Sequence, residues 1–188
     1  MGEAFKTEIS FYEDCFKFTE ESSLTILESI TSSDELRHRD FELTEDLTYD
    51  HWVCSIMVAL GEARVYIEAH FASRTARRIA AKGLRMEEKG LTTSVLIDFM
   101  REYLNRIMGD IKSRYLSDAE EVSLPQVTPA YDRGIEQGAI DGGMSVRRWK
   151  ICWPQGQIVL CCHIVPTGDV TSMCVKEESE EEDSIDFL

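Results

Sequence analysis

The chain has 188 residues, 43% of them apolar and 29% charged, with a formal net charge of −15 at pH 7. This length and apolar content predict a single domain with one buried core, at residues 1–175. So acidic a chain lacks the basic surface that nucleic acid requires, and without a long apolar run or a signal-peptide layout we expect a cytoplasmic protein with no membrane contact.

The N-terminal part of the chain predicts one helix followed by an irregular segment. Apolar residues recur at approximately helical spacing from Phe11 to Ser32, with a candidate interruption at Ser22 and Ser23. Thr31 to Asp50 is polar and acid-rich, and its apolar pattern is too weak to assign an element. We expect a packing helix and then a loop that leads into a sheet.

Two strands joined by a tight turn come next. Apolar residues alternate from Trp52 to Leu60 and again from Arg64 to Ala72, with Gly61 and Glu62 between them. Alternation with a period of two is typical of strands, so this segment predicts an antiparallel hairpin. In the second strand, the side chains expected to face the core are Val65, Ile67, Ala69 and Phe71, and those expected to face away are Tyr66, Glu68 and His70.

Two helices follow the hairpin. Arg74 to Lys82 predicts a short helix that Ser73 caps and Gly83 ends. Thr92 to Leu116 predicts a long amphipathic helix.

The C-terminal part of the domain predicts three further strands. Glu120 to Thr128 has a strand pattern interrupted by Pro125, which favours an edge position or a bulge. A glycine-rich loop at Ala130 to Gly143 leads to strands at Met144 to Trp153 and Gln157 to Val165, which a type I turn joins. Together the elements predict an α+β fold, an antiparallel sheet of about five strands with long helices on one face.

The last segment, Lys176 to Leu188, holds seven acidic residues and one lysine. Such a run cannot bury a core, so it predicts a disordered acidic tail at residues 176–188. Its apolar terminal residues leave two alternatives open, a short docking peptide for a partner or a frayed end.

Metal and nucleophile sites find little support in the sequence. The six cysteines show no metal-type CxxC spacing, so we expect reduced thiols within the core. Strand alternation would place Cys161 and His163 on one face and Cys162 on the other, and we expect no metal site there. P-loop and GxSxG motifs are absent, so we also expect no cofactor belonging to the chain itself.

The long helix carries two organised faces, and Thr92 or Thr93 is its candidate N-cap. Its apolar stripe consists of Leu96, Met100, Tyr103, Ile107, Ile111 and Tyr115. Its polar row consists of Asp98, Glu102, Asn105, Gly109 and Lys112. Steps of three and four residues keep the row on one side of a helix that turns about 100° per residue. A second organised face predicts a second task besides packing.

Asn105 and Gly109 are the unusual members of this row. Asn105 is the only asparagine in the chain, and an asparagine in mid-helix competes with the backbone for hydrogen bonds. Glycine in a helix interior costs about 1 kcal/mol relative to alanine. Two readings stay open at this point: an ordinary solvated face with Gly109 serving helix packing, or a face that a partner approaches closely.

The run DFMREYLNRIMGDIK, followed by SLPQV, resembles the signature helix and following strand of the CheC/CheX chemotaxis phosphatases. Their pattern is Asp or Ser, three residues, Glu, two residues, Asn, then Gly four residues on and later Pro. Asp98, Glu102, Asn105 and Gly109 match it position for position. Only one such motif occurs, which favours CheX. In the family, the proline usually follows the Asn by slightly over twenty residues. Here nineteen residues lie between Asn105 and Pro125, and twenty-three lie between Asn105 and Pro129.

The resemblance implies an α+β fold, pairing of two chains as a homodimer through their sheets, and hydrolysis of the aspartyl phosphate of a CheY-type receiver domain. In that reading Asn105 and Glu102 are the catalytic residues, and Asp98 and Gly109 are binding residues. Mg²⁺ is expected on the receiver rather than on this chain. The alternative is a non-catalytic adaptor that binds a receiver or another signalling protein through the same helix face.

Overall fold

A computed structural model describes residues 2–31, 36–41, 51–115, 122–129, 144–154 and 156–170. The glycine-rich loop, the acidic tail, Cys174 and the domain boundary at residue 175 lie outside these ranges. In chain order the elements are α1 (Gly2–Thr31), β1 (Arg37–Asp40), β2 (His51–Leu60), β3 (Ala63–Ala72), α2 (Ser73–Leu84), a 3₁₀ turn (Glu88–Gly90), α3 (Thr93–Tyr115), β4 (Gln126–Pro129), β5 (Ser145–Trp153) and β6 (Gly156–Pro166).

The strands form one antiparallel sheet in the order β1-β5-β6-β3-β2-β4. The sheet has six strands rather than about five, because the sequence analysis missed β1. This strand, RHRD, is largely exposed and has no apolar alternation, and its pairing with β5 defines it. The predicted edge position of the strand near Pro125 is confirmed, since β4 is the last strand of the sheet.

The helices cover one face of the sheet, as predicted. The side chains expected to face the core from β3 are buried, and so are their counterparts on β2, Cys54, Ile56, Val58 and Leu60. The apolar stripe of α3 packs against them, with Met100, Tyr103, Ile107 and Ile111 at most 1% exposed. Burying one such large side chain contributes roughly 1.5 to 3 kcal/mol. This packing fixes which face of α3 remains for solvent.

The predicted interruption of α1 at Ser22 and Ser23 is wrong, because the helix runs without a break. Both hydroxyls have partners that let them stay inside it. Ser23 donates to the Glu20 carbonyl at 2.7 Å and accepts from Trp149 Nε1 at 3.1 Å. Ser22 donates to the Asp110 carboxylate of α3 at 2.6 Å.

The predicted boundaries of α2 are also wrong. Ser73 is its first residue, and its hydroxyl accepts from Trp52 Nε1 at 2.8 Å instead of capping the helix. The helix ends at Leu84, and Arg85 adopts the left-handed conformation with φ of 54°. Gly83 therefore lies inside the helix, where an added Cβ would lie 2.6 Å from Ile30 Cγ2. Close packing, not termination, explains this glycine.

None of the helices in the described ranges combines the length and the apolar character needed to cross a membrane. The described cysteines, Cys15, Cys54, Cys152, Cys161 and Cys162, form no disulfide bond with one another. Four of them are buried, as expected for core thiols, and Cys152 is half-buried.

Candidate functional site

The polar row lies on the exposed face of α3. Asp98, Glu102, Asn105 and Gly109 are all exposed, while the apolar stripe on the opposite face is buried except for Tyr115, which is half-buried. The structure thus brings the four predicted site residues together on one side of a single helix.

α3 is a firmly anchored platform for this row. Its start is capped by Thr92, whose hydroxyl accepts from the Val95 N–H at 3.4 Å, which decides between the two candidate threonines. Its buried side is fixed to α1 by the Tyr103 hydroxyl, which donates to the Ser23 carbonyl at 3.0 Å. Burial raises the pKa of this tyrosine, so it remains a neutral donor. A platform held this way presents its exposed side chains at constant spacing.

The C-terminal end of α3 is clamped to α1 as well. The Asp14 carboxylate accepts from Arg114 Nη2 at 3.1 Å and from the Tyr115 hydroxyl at 2.5 Å. The Arg114 guanidinium also lies over the Phe18 ring, 4.6 Å from its centroid. Contacts at both ends therefore hold the segment that carries the row.

The Asn105 amide is exposed in the middle of the row, and no hydrogen bond joins its side chain to any residue in the described part of the chain. A carboxamide carries two donor hydrogens and an acceptor oxygen, so it can bind a water molecule and a second polar group at once. Because no described residue bonds to these donor and acceptor groups, they are accessible to an incoming molecule.

The two carboxylates of the row are each paired with an arginine of the same helix. Glu102 accepts from Arg106 Nε at 3.0 Å, and Asp98 accepts from Arg101 Nη1 at 3.4 Å. Their side chains are 58% and 66% exposed, and exposed pairs of this kind contribute at most about 1 kcal/mol. A cation on a partner protein can therefore replace either arginine at little cost.

Gly109 leaves a notch beside Asn105. A Cβ built at this position would meet no atom of the described residues within 4 Å. Among the described residues Gly109 therefore makes no packing contact that requires a glycine, because alanine would fit here equally well. What the glycine does provide is room at the surface of the row.

A basic cavity of about 290 Å³ lies beside the row, between α3 and the end of α2. Glu102 and Arg106 form one side of it, and Lys82 and Arg85 form another. The sequence pattern did not predict this cavity. α2 ends at Leu84, two residues later than the pattern predicted, and the left-handed residue Arg85 that follows it lines the cavity.

The two candidate prolines have different surroundings. Pro125 is buried just before β4, whereas Pro129 is exposed at its end. Ser123 ties the approach to β4 onto β2, since its N–H donates to the Met57 carbonyl at 2.9 Å and its hydroxyl accepts from the Met57 N–H at 2.9 Å. Burial and this anchoring favour Pro125 as the proline with a structural role.

A comparison with protein-family models matches residues 53–141 to the family described as chemotaxis phosphatase CheX. The matched segment includes most of β2, and the whole of β3, α2 and α3 with its polar row. A comparison with curated protein sequences finds no match.

Solved structures of similar fold include the chemotaxis protein CheX of Vibrio vulnificus, at 19% identity and a TM-score of 0.61, covering 80% of this chain and 99% of that one. A CheC-like superfamily protein of Shewanella sp. PV-4 has 16% identity and a TM-score of 0.61, with 80% and 97% covered. The CheX–CheY–BeF₃–Mg²⁺ complex of Borrelia burgdorferi has 14% identity and a TM-score of 0.60, with 80% and 97% covered. At these identities the likeness shows a shared fold.

Proposed function

The chain is CheX-like in its family-model match and in its fold, and from this premise we propose that it is a cytoplasmic protein phosphatase that hydrolyses the aspartyl phosphate of a CheY-type receiver domain. The observation that carries the proposal is the exposed Asn105 amide, unpartnered among the described residues, at the centre of a carboxylate row on an anchored helix. A receiver as the partner is supported by the Borrelia complex, which contains CheY.

Hydrolysis of an aspartyl phosphate requires a well-positioned water molecule more than it requires reactive groups on this chain. An acyl phosphate on aspartate is hydrolysed by in-line attack of water, and Mg²⁺ together with a lysine of the receiver neutralises the phosphoryl oxygens. The Asn105 carbonyl oxygen accepts one proton of the attacking water, and its NH₂ group donates toward the phosphoryl oxygens. The water is then held in line for attack, and Asn105 never changes its charge.

Glu102 sets the register between the two proteins. Its carboxylate leaves Arg106 and pairs with the receiver lysine, which exchanges one exposed ion pair for one buried in the interface. Asp98, one turn earlier, meets a second basic group of the receiver. The notch at Gly109 lets the receiver backbone approach the row beside Asn105.

The basic cavity beside Glu102 fits the same arrangement. A phosphorylated receiver site is anionic, since it combines phosphate with the carboxylates that hold Mg²⁺. Lys82 and Arg85 place two positive charges at the edge of the row that faces this site. Complementary charge of this kind increases the association rate and fixes orientation.

The proposal is tested with a panel of purified receivers that are phosphorylated by a small phosphodonor. We expect the chain to accelerate phosphate release from at least one of them well above its intrinsic rate. Binding to phosphorylated receivers without any acceleration would instead support the non-catalytic adaptor.

A further inference from the structure

The sheet face turned away from the helices carries a cluster of metal-binding side chains. On β3, Glu68 and His70 alternate with the core residues and so lie on this face. On β6, Cys161 and His163 do the same. The register places Glu68 directly opposite Cys161, and His163 two pairs further along, opposite Tyr66.

Three of these side chains lie close enough together to share one metal ion. One ligand atom each from Glu68, Cys161 and His163 lie within 4.8 Å of one another. His163 Nε2 lies 3.7 Å from Glu68 Oε2, which is too long for a hydrogen bond. With metal–ligand bonds of 2.0 to 2.3 Å, the edges of a tetrahedral zinc site are about 3.3 to 3.8 Å long. The His163–Glu68 separation already equals such an edge.

A second, independent observation is the state of His70. Its side chain is only 5% exposed, yet neither ring nitrogen has a hydrogen-bond partner among the described residues. Its Nε2 lies 3.6 Å from Glu68 Oε2, the same oxygen that His163 approaches. A buried imidazole without a hydrogen bond costs free energy, and this one lies at ion-pair distance from the carboxylate of the cluster. Carboxylates that bind a metal are in turn hydrogen-bonded by outer groups, and His70 is placed to serve Glu68 in that way.

We propose that Glu68, Cys161 and His163 bind a divalent transition metal of the Zn²⁺ type in a tetrahedral site, with water in the fourth position. A thiolate and an imidazole select borderline-soft ions, whereas Mg²⁺ and Ca²⁺ require oxygen ligands. Glu68 is 37% and His163 19% exposed, so the fourth position opens to solvent. His70 stays outside the coordination sphere and orients the Glu68 carboxylate.

Binding requires Cys161 as a thiolate. The thiol proton leaves to solvent as the metal–sulfur bond forms, and the bound ion then has two negatively charged ligands, Glu68 and Cys161.

This site was not expected from the sequence, which offered Cys161 and His163 but not the third ligand. Glu68 lies far away in the chain, and only the pairing of β3 with β6 brings it to Cys161. The cluster is also separate from the polar row, because α3 packs on the other face of the sheet. Failure of the metal proposal would leave the phosphatase proposal untouched, and the reverse holds as well.

The test is a titration of the full chain, freed of metal by chelation and dialysis, with Co²⁺. We expect one equivalent to bind and to give the intense visible bands of tetrahedral cobalt and a thiolate-to-cobalt charge-transfer band. Zn²⁺ should displace the Co²⁺ and raise the melting temperature of the chain. Cys161→Ser should abolish the charge-transfer band, and His163→Gln should weaken binding at least tenfold.

Cys152→Ser and His38→Gln are matched controls. Cys152 is a half-buried thiol of β5, and His38 is an imidazole 2.6 Å from the Glu20 carboxylate, so each removes a similar group outside the cluster. Both variants should bind Co²⁺ as the wild type does. The metal-free melting temperature of each variant shows whether it is folded. Absence of the bands in the wild type, or bands that persist in folded Cys161→Ser, would overturn the proposal.

Discussion

At the scale of single residues, Glu102 offers a clear test of how the row works, because its present partner is known. Arg106 occupies the carboxylate at 3.0 Å, so this arginine competes with any partner lysine. We expect Glu102→Ala to lower both receiver affinity and turnover, with the loss in affinity shrinking as salt screens the pair. Arg106→Ala, in contrast, should leave turnover unchanged or raise it.

Phosphate release and receiver binding, each measured at low and high salt, check both variants. Arg101→Ala is the matched control, because it frees Asp98 in the way that Arg106→Ala frees Glu102. A fall in turnover for Arg106→Ala as large as that for Glu102→Ala would mean that the pair acts as a unit, and the exchange we describe would be wrong.

The positions of the row residues were predictable from sequence, but their surroundings were not. The helical period predicts that Asp98, Glu102, Asn105 and Gly109 share one face of the helix. In the structure all four are exposed. That a Cβ at Gly109 would meet no atom of the described residues depends on tertiary packing, which the spacing of residues does not reveal. The cavity that Arg85 lines also depends on tertiary packing and could not be predicted from spacing.

At the scale of elements, the glycines inside α3 and α2 predict effects of opposite sign. A Cβ at Gly109 meets no described atom, so Gly109→Ala should stabilise α3 by about 1 kcal/mol. A Cβ at Gly83 would lie 2.6 Å from Ile30 and 2.9 Å from the Phe99 ring, so Gly83→Ala should destabilise the fold. Chemical denaturation of the two variants measures both changes.

Receiver binding separates the roles further. If the partner approaches the notch, Gly109→Ala should weaken receiver binding although it stabilises the chain. A Gly109→Ala variant that is more stable and binds the receiver like the wild type would show that the notch has no role in recognition.

Elements with a strong period were predicted well, and those defined by partners were not. The hairpin of β2 and β3 and the helix α3 follow from apolar spacing alone, and their observed bounds differ by a residue or two from prediction. β1 has no such spacing, and β5 alone makes it a strand. The end of α2 was misplaced because Gly83, which resembles a helix terminator, serves close packing against α1 and α3.

At the scale of the whole molecule, the sheet leaves β4 as an edge strand of four residues. Unpaired edges invite pairing with another chain, and the resemblance to CheX implies a homodimer formed through the sheets. We expect light scattering at micromolar concentration to give twice the 21.5 kDa of one chain. A single species of 21.5 kDa across a dilution series would contradict the homodimer.

The acidic tail gives a second prediction at this scale. Residues 176–188 carry seven of the acidic residues and one lysine, so they repel one another and bury little. Removing them should leave the melting temperature nearly unchanged. A drop of several degrees would show that the tail packs on the domain. If its Phe187–Leu188 end docks a partner, truncation should weaken that association and spare activity on an isolated receiver.

The fold class and the family resemblance are the parts that the sequence predicted correctly for the molecule as a whole. The motif on α3 was enough for the resemblance, which the family-model match and the shared fold confirm. Contacts between distant strands were beyond reach, because register between β3 and β6 is a property of the folded sheet. The meeting of Glu68 with Cys161 is the clearest case.

Asn105→Ala tests the central claim most directly. The side chain is exposed, and alanine is the better helix former, so stability should hold or rise by up to about 0.7 kcal/mol. Losing one preorganised hydrogen-bonding group at a reacting centre costs on the order of 10² to 10³ in rate. We expect phosphate release from a phosphorylated receiver to fall by that factor while receiver binding survives.

Gln157→Ala, which removes an exposed amide on β6, should release phosphate at the wild-type rate and serves as the control. If phosphate release stimulated by Asn105→Ala equals that of the wild type on every receiver tested, Asn105 does not position the water and the phosphatase account fails.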